Sequence, residues 1–419
     1  MSIEKNKKNL YSNFFSLSIL QVFSYILPLI TLPYLVKTLG TENFGLVIFA
    51  QSFIVFLNIF VDFGFNLSAT REISIYRDNK DKITEIFSSV IIIKAFLMFL
   101  SFVILTVTIL SVKSFSNNWE LYYFSFLLVI GNAMFPVWYF QGIEKMKYIT
   151  IVNILSKLIF TLLIFVIVRD SNDFLYVPIL YGIGSIIGGG VSLYIIRYSF
   201  HQSFNFQKWN VLQKYFMESS QFFLSRLSSV GYSNINTFLV GILLTPNLVT
   251  YYYLADKIVH VSLSIFNPIV QTIYPYLSKK FEFEFFIKLL LLVISGSFVI
   301  LLLLFFLSDF ISFILLKEYN QTFIQIVHIL IVLIPISIIY VFIGAPLLLA
   351  RGFKKEFNLS IIYGFVLHLI VLTFLYTYYL NYSNHDTIVY WFATSLVVSK
   401  FSVLLLRSYY VYIHKLYKR

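Results

Sequence analysis

The sequence predicts an all-α, polytopic membrane protein, with about twelve transmembrane helices in two six-helix lobes around a central cationic cavity. Apolar residues make up 59% of the 419 positions and charged residues 12%, against roughly 45–50% and about 25% in soluble domains. A membrane-spanning helix needs about 20 predominantly apolar residues, and runs of that length recur along the whole chain. This composition excludes an ordinary soluble protein.

Twelve apolar runs are bounded by charged or turn residues. They are too long for the roughly ten-residue strands of a membrane β-barrel, and they do not alternate apolar with polar residues. The predicted spans are 11–36, 44–65, 85–111, 120–141, 149–168, 174–196, 218–244, 248–276, 285–307, 324–350, 357–380 and 387–412.

The distribution of Lys and Arg predicts the orientation of these spans. An even number of spans puts both termini on one side, and the loops of that side and the tails carry twenty Lys and Arg against four in the opposite loops. The four are Lys37, Lys113, Arg169 and Lys317. Cytoplasmic loops of membrane proteins are the ones enriched in Lys and Arg, so both termini are expected in the cytoplasm.

A repeated motif predicts two related halves. Pro136 is followed at fixed spacing by Gln141, Gly142 and Lys145, and Pro346 is followed at the same spacing by Arg351, Gly352 and Lys355. The two copies end the fourth and the tenth predicted spans, as expected of a parallel six-helix repeat, although Gly and basic residues also end many membrane helices by chance. The expected organisation is an N-terminal lobe at 1–200, a cytoplasmic linker at 201–217 and a C-terminal lobe at 218–419.

Soluble catalytic machinery is not expected. The chain has no Cys, which excludes disulfides and thiolate metal sites, and no phosphate-binding G-x-x-x-x-G-K-[ST] motif. His260, His328 and His368 occur singly, without the spacing of metal ligands. We therefore expect no cofactor and no metal.

Ionisable residues inside the spans are the strongest functional signal. A charge at the centre of a membrane helix costs roughly 2.5–3.5 kcal/mol, so such residues must face protein or water. Five basic residues exceed two acidic ones: Lys94, Lys157, Arg226, Lys257 and Lys400, against Asp62 and Asp256. Lys288 and Arg407 lie nearer the cytoplasmic ends, and we expect them to extend to the membrane surface. The same behaviour is an open alternative for Lys94 and Lys157.

Helical spacing gives some of these residues polar neighbours on one face. Asn153, Lys157 and Thr161 recur every four residues in the fifth span, and Arg226, Ser229, Ser233 and Asn236 share a face of the seventh. Gln21 adds a polar residue to the first span. We interpret these faces as cavity lining, with hydrogen bonding between helices as the alternative. The surplus of positive charge predicts an anionic cargo, because a cationic cavity concentrates anions.

Four strings carry a resemblance to a known family: ITLPYLVKTLGTENFGLVIFAQSF at 30–53, DFGFNLSATREIS at 62–74, FPVWYFQGIEKMKYIT at 135–150 and YYYLADKIV at 251–259. With the span count, they resemble the polysaccharide repeat-unit (O-antigen, Wzx-type) flippases of the multidrug/oligosaccharidyl-lipid/polysaccharide exporter superfamily. The resemblance implies alternating-access transfer of an undecaprenyl-pyrophosphate-linked oligosaccharide from the cytoplasmic to the periplasmic leaflet. It also implies a place in the bacterial inner membrane and a role in lipopolysaccharide O-antigen or other surface-polysaccharide synthesis.

The resemblance extends to particular residues. Arg71 and Glu72 match a family motif at the cytoplasmic end of the second span, and Lys257 matches its basic position after Ala-Asp. The expected partners are the lipid-linked oligosaccharide, membrane lipids and the polysaccharide polymerase machinery, without nucleic acid. Coupling is left open by the sequence: Asp62 and Asp256 could carry H⁺ or help to bind Na⁺, as intramembrane carboxylates commonly do, or the lipid gradient alone could drive transport.

Two other functions compete with this one. A multidrug-type or other secondary exporter that moves cationic drugs is expected to line its path with carboxylates, and the spans supply only Asp62 and Asp256. A membrane polymerase or ligase of polysaccharides is expected to carry a sizeable outward loop, and the outward loops here are short. The sequence therefore favours a flippase and not an enzyme.

Overall fold

The computed structural model describes residues 2–279, 281–381 and 387–416, without the side chains of residues 2–18, 22, 25, 225, 233, 275 and 379–381. All the regular structure in these ranges is helical. Nine helical segments of the described chain are long and apolar enough to cross a membrane. They are Ile19–Ile75, Lys80–Ser111, Trp119–Gly142, Met146–Ile167, Ser171–Ser199, Phe283–Phe306, Gln321–Leu349, Lys354–Tyr378 and Ile388–Ile413.

Two compact units divide the chain, Met1–Asn234 and Ile235–Arg419. The first unit begins with the helices α1 Ser2–Asp62, α2 Phe65–Ile75, α3 Lys80–Ser111, α4 Lys113–Ser116, α5 Trp119–Met134, α6 Val137–Gly142, α7 Met146–Ile167 and α8 Tyr176–Ser199. Helix α9 spans Trp209–Leu243 and contains the boundary. The second unit continues with α10 Pro246–Ser264, α11 Asn267–Lys279, α12 Phe283–Phe306, α13 Ser308–Leu316, α14 Gln321–Ile331, α15 Leu333–Phe342, α16 Lys354–Asn381 and α17 Ile388–Ile413.

Helix α1 holds the first two predicted spans. It is interrupted at Gly40, whose φ of 76° and ψ of 165° are not helical. The predicted spans 11–36 and 44–65 lie on either side of this glycine. The predicted seventh span corresponds to α9, and the eighth covers α10 and most of α11. None of these helices is among the nine segments, so the count of twelve stays a prediction.

The predicted linker 201–217 is packed on the first unit. The Gln202 amide donates to Thr84 Oγ1 at 2.7 Å, and the Tyr215 hydroxyl donates to Glu85 Oε1 at 2.9 Å. Burial, followed by the hydrogen bond to Glu85, raises the pKa of Tyr215. Both ends of this segment are thus held on α3 by hydrogen bonds. The two-lobe organisation with a linker at 201–217 stays a prediction.

A break between α1 and α2 shapes the site. Phe63 and Gly64 have φ values of 44° and 83°, in the left-handed region that favours glycine. A Cβ on Gly64 would also lie 2.7 Å from Phe222 Cβ, so α9 approaches the break closely. The Phe63 ring stacks on Phe216 and Phe223, with centroids 4.4 and 4.8 Å apart. Two aromatic stacks and a glycine therefore hold the first half of α9 against the end of α1.

Two of the strings that carry the family resemblance pack on each other. Thr70 on α2 donates to the backbone oxygen of Trp138 on α6 at 3.3 Å, and a Cβ on Gly142 would lie 2.6 Å from Ile73 Cβ. A 2.9 Å ion pair joins Arg77 to Glu144 nearby. The residues at 62–74 and 135–150 thus form one structural element, which fixes the end of α1 where Asp62 lies.

Candidate functional site

A cavity of about 240 Å³ in the first unit contains three of the predicted site residues, Asp62, Lys94 and Arg226. Asp62 ends α1, Lys94 lies in the middle of α3, and Arg226 lies on the first half of α9. The break at Phe63–Gly64 turns the chain at Asp62, and the packing of α9 on that break places Arg226 on the same cavity. The lining comprises Val55, Asn58, Ile59, Val61, Asp62, Asn66, Lys94, Asn132, Ala133, Phe135, Val137, Arg226 and Val230.

Asp62 and Lys94 form a buried ion pair in the cavity wall. Lys94 Nζ lies 3.9 Å from Asp62 Oδ1, and the two side chains are 5% and 15% exposed. The Asn66 amide donates to the same Oδ1 at 2.6 Å. Lys94 is therefore held inside the protein, and it does not extend to the membrane surface.

The second carboxylate oxygen of Asp62 is buried, and no hydrogen bond reaches it from the described residues. Such an oxygen is costly to bury unless a proton or a cation meets it. Arg226, by contrast, is exposed. The cavity lining therefore combines a buried ion pair, Asp62–Lys94, with the exposed guanidinium of Arg226.

Three asparagines add neutral polar groups to this charged lining. The Asn132 amide donates to Asn58 Oδ1 at 3.2 Å, and Asn66 contacts Asp62 as described. None of the three was predicted from the sequence, although Asn58, Asp62 and Asn66 recur every four residues in an apolar stretch. Amide and guanidinium groups donate hydrogen bonds to phosphate and sugar oxygens, so this lining suits an anionic, polar ligand.

Other predicted residues of the first unit lie elsewhere. The Lys157 ammonium on α7 donates to Ser24 Oγ on α1 at 2.7 Å, and the Asn153 amide donates to the backbone oxygen of Ile149 at 2.9 Å. Gln21 is half-buried on α1. Lys157 therefore makes a hydrogen bond between α7 and α1, and its role in a cavity stays a prediction.

Arg71 and Glu72 lie on α2, outside the cavity lining. Arg71 is exposed and Glu72 is half-buried. Of the two predicted stripes, Thr161 is buried and Asn236 is 1% exposed, while the side chain of Ser233 lies outside the described residues. Asn236 belongs to the second unit. The cavity-lining role of both stripes stays a prediction.

The remaining predicted charges belong to the second unit. Asp256 on α10 is buried, with His260 Nε2 3.5 Å from its Oδ2, and the neighbouring Lys257 is half-buried. Lys400 on α17 donates to the Tyr340 hydroxyl at 3.2 Å and lies 5.2 Å from the centre of that ring. These residues form no part of the cavity lined by Asp62, Lys94 and Arg226.

The expectation for Arg407 was wrong. Its residue is 2% exposed, and its guanidinium donates to Ser360 Oγ at 2.8 Å and to the backbone oxygen of Tyr340 at 2.6 Å. The rings of Tyr340 and Phe357 face the guanidinium at 5.2 and 4.7 Å. A Cβ on Gly344 would collide with it, so the glycine leaves the space that admits Arg407. The Arg407 guanidinium is therefore bound by buried acceptors and does not extend to the membrane surface.

Comparisons with known proteins agree with this architecture. Residues 10–281 match the family described as "Polysaccharide biosynthesis protein". The chain belongs to that family. Two relatives carry the description "Putative O-antigen transporter": one from Escherichia coli (strain K12), 32% identical over 65% of this chain and 66% of the relative, and one from Shigella dysenteriae, 29% identical over 85% and 90%. The match to the first relative thus spans just under two thirds of its length.

This chain is also similar to solved structures of transporters. An inward-facing multidrug resistance MATE transporter of the MOP superfamily has a TM-score of 0.68, with 14% identity over 97% of this chain and 99% of that one. The lipid II flippase MurJ, in an inward closed conformation, also has a TM-score of 0.68, with 17% identity over 94% and 87%. The protein therefore has the polytopic fold of these transporters and is an integral membrane protein.

Proposed function

We propose that this protein is a flippase that moves an undecaprenyl-pyrophosphate-linked oligosaccharide repeat unit from the cytoplasmic to the periplasmic leaflet, by alternating access, for surface-polysaccharide synthesis. The proposal rests mainly on one observation: Lys94 and Arg226 line a single cavity together with the side-chain amides of three asparagines, and this cavity lies between apolar helices. The family and the description of its relatives as O-antigen transporters support the same cargo class.

The chemistry of the cavity suits the head of this cargo. Arg226 offers a planar fork of N–H donors to a pyrophosphate, whereas Lys94 offers a charge that Asp62 compensates until an anion arrives. The asparagine amides are suited to sugar hydroxyls. A cationic drug, as carried by some multidrug-type exporters, would be repelled by Arg226. The cavity therefore favours an anionic cargo, although the fold is shared with multidrug transporters.

Alternating access is supported by the superfamily. One multidrug resistance MATE transporter of this fold is described in an inward-facing and in an outward-facing conformation, with TM-scores of 0.68 and 0.56 to this chain. We infer a transporter without catalytic chemistry, oriented with both termini in the cytoplasm of a bacterial inner membrane. The polysaccharide polymerase machinery, which uses the translocated product, is the proposed protein partner.

The orientation has its own test. Reporter fusions after Lys113, near Asp170 and after Arg419 should report outside, outside and cytoplasm, respectively, because the loop lysines and arginines favour that arrangement. An outward C-terminus would contradict the orientation and the even number of spans.

Removal of the gene product tests the function itself. Cells without the protein should accumulate the lipid-linked repeat unit on the cytoplasmic leaflet, where a membrane-impermeant sugar oxidant added to intact cells does not reach it. The same oxidant should modify the unit in complemented cells. A repeat unit that becomes accessible at the parental rate without the protein would refute the flippase.

Coupling is proposed at the two intramembrane carboxylates. Asp62 has a buried oxygen without a described partner, and Asp256 lies beside His260. Asp62→Asn and Asp256→Asn keep the shape and remove the titrating group, so transport in at least one of them should lose its dependence on pH or sodium. An unchanged dependence in both would exclude these carboxylates as coupling sites.

A further inference from the structure

A chain of buried polar groups crosses the second unit, away from the cavity described above. It joins Asn236 on α9, Tyr252 on α10, His368 on α16 and Ser399 on α17. Each of the four residues is at most 1% exposed. Of the four, only Asn236 was among the residues that the sequence placed on a cavity-lining face. A histidine sealed among four helices therefore needs its own explanation.

The direction of the hydrogen bonds can be assigned from the acceptors. The Asn236 amide nitrogen lies 2.8 Å from the backbone oxygen of Phe392, which can only accept, so the Asn236 nitrogen and oxygen are not interchanged. Asn236 Oδ1, which also only accepts, lies 2.8 Å from His368 Nε2. His368 Nε2 must therefore carry a proton and donate it to Asn236.

The second ring nitrogen of His368, Nδ1, faces the Ser399 hydroxyl, which has two possible acceptors. Ser399 Oγ lies 2.9 Å from His368 Nδ1 and 2.7 Å from the backbone oxygen of Ser395. Its single proton can serve one of these two contacts. If it points to Ser395, Nδ1 must donate to Ser399 and the ring is an imidazolium; if it points to Nδ1, the ring is neutral. One proton on Nδ1 and one rotation of a hydroxyl separate the two arrangements.

We propose that His368, Asn236 and Ser399 form a proton-binding site within the second unit. The proton adds to Nδ1 of the neutral ring, and the Ser399 hydroxyl turns from Nδ1 to the Ser395 oxygen, so that every donor keeps an acceptor in both forms. No backbone movement is needed for the exchange.

The surrounding charges decide how strongly the proton is held. Lys400 on α17 carries a positive charge that acts on His368, and its ammonium donates to the Tyr340 hydroxyl of α15. The Tyr252 phenol of α10 accepts a hydrogen bond from the Asn236 amide. A positive charge that is buried near another cation is costly unless water or an anion reaches it. Proton binding therefore favours any conformation of this unit in which water or an anion reaches the site, which is the differential interaction that a ligand needs to shift a conformational equilibrium.

This site is independent of the cargo, so its test does not use transport. Full-length protein with ¹⁵N-labelled histidine, in lipid nanodiscs, gives ring nitrogen signals for six histidines. The signal that disappears in His368→Gln identifies His368. We expect this signal to change from one protonated nitrogen to two as the pH is lowered from 8.5 to 4.5.

Two variants move the midpoint in a defined direction. Lys400→Gln removes the opposing charge, and Asn236→Asp puts a carboxylate beside Nε2. Each should raise the midpoint by about one pH unit, a tenfold gain in proton affinity. Lys354→Gln, which changes an exposed lysine at the start of the same helix as His368, should leave it unchanged. A His368 signal that stays in one protonation state in the parent and in Asn236→Asp, with folded protein throughout, would overturn the proposal.

Discussion

The two units bury positive charge in different ways. In the first, Lys94 is compensated by the carboxylate of Asp62 in the wall of a cavity that also presents Arg226. In the second, the contacts described for Arg407 are with neutral groups: a hydroxyl, a backbone oxygen and two aromatic rings. A charge pair beside a cavity can exchange one partner for a ligand, whereas a guanidinium enclosed by acceptors and rings has no space for one. We therefore assign the first arrangement to cargo binding and the second to stability.

The largest expected effect is the loss of the Arg407 side chain. Arg407→Ala removes two buried hydrogen bonds and leaves a cavity under Tyr340 and Phe357, which should lower the free energy of unfolding by about 3–5 kcal/mol. The thermal unfolding midpoint and the amount of protein in the membrane should both fall.

The matched control is Arg351→Ala. This arginine is exposed and faces the Phe281 ring at 4.8 Å, so its removal should cost about 0.5–1 kcal/mol. Equal unfolding midpoints for the two variants would contradict the structural role of Arg407.

A second prediction separates charge balance from function in the first unit. Lys94→Met leaves the Asp62 carboxylate buried without its cation, which should destabilise the protein by about 3–5 kcal/mol. The double variant Lys94→Met/Asp62→Asn removes both charges and should recover most of the unfolding midpoint. Transport should stay low in the double variant, because the cavity has then lost its ammonium.

Recovery of transport together with stability would show that Lys94 serves only to balance Asp62. The buried positive charge of the first unit would then serve stability alone, as Arg407 does in the second unit. Lys82→Met with Glu85→Gln, which removes a more exposed pair 2.6 Å apart near the start of α3, is the control for the loss of a charge pair. It should change stability by no more than about 1 kcal/mol.

The smallest expected effect concerns Tyr340, which contacts both Lys400 and Arg407. Tyr340→Phe removes the hydroxyl that accepts from Lys400 but keeps the ring under Arg407. We expect a loss of about 1 kcal/mol in stability, and Tyr363→Phe, at an exposed ring, should cost less. A loss as large as that of Arg407→Ala would mean that the hydroxyl, not the guanidinium, holds this region together.

The sequence predicts much of the fold because the membrane imposes it. A helix must present about 20 apolar residues to lipid, so ten of the twelve predicted runs fall in the long apolar helices of the described chain, two of them in α1. The position of the first half of α9 against the end of α1 was not predictable in this way. It depends on the packing of Phe216 and Phe223 against Phe63, and aromatic residues in a membrane helix carry no signal of which neighbour they contact.

The site was predictable in part for a similar reason. The cost of a charge in lipid identified Asp62, Lys94 and Arg226 as residues that face protein or water. That these three side chains line one cavity depends on the turn at Phe63–Gly64, which hydropathy does not reveal. Arg407 was misjudged because its position near a helix end is typical of surface-seeking arginines. The space left by Gly344, which admits the guanidinium, lies in another helix.

The central claim is that the cavity lined by Asp62, Lys94 and Arg226 holds the anionic head of the cargo. Binding of undecaprenyl pyrophosphate to the purified full-length protein tests it most directly. The comparison uses Arg226→Ala, Arg226→Lys and the Lys94→Met/Asp62→Asn double variant, with Lys279→Ala as an exposed control on α11.

The account predicts that Arg226→Ala binds at least about tenfold more weakly, a loss of 1.4 kcal/mol or more, with a smaller loss in Arg226→Lys, which keeps the charge without the fork. The double variant should also bind more weakly, whereas Lys279→Ala should bind as the parent does. Parental affinity in Arg226→Ala and in the double variant, both folded, would contradict the claim.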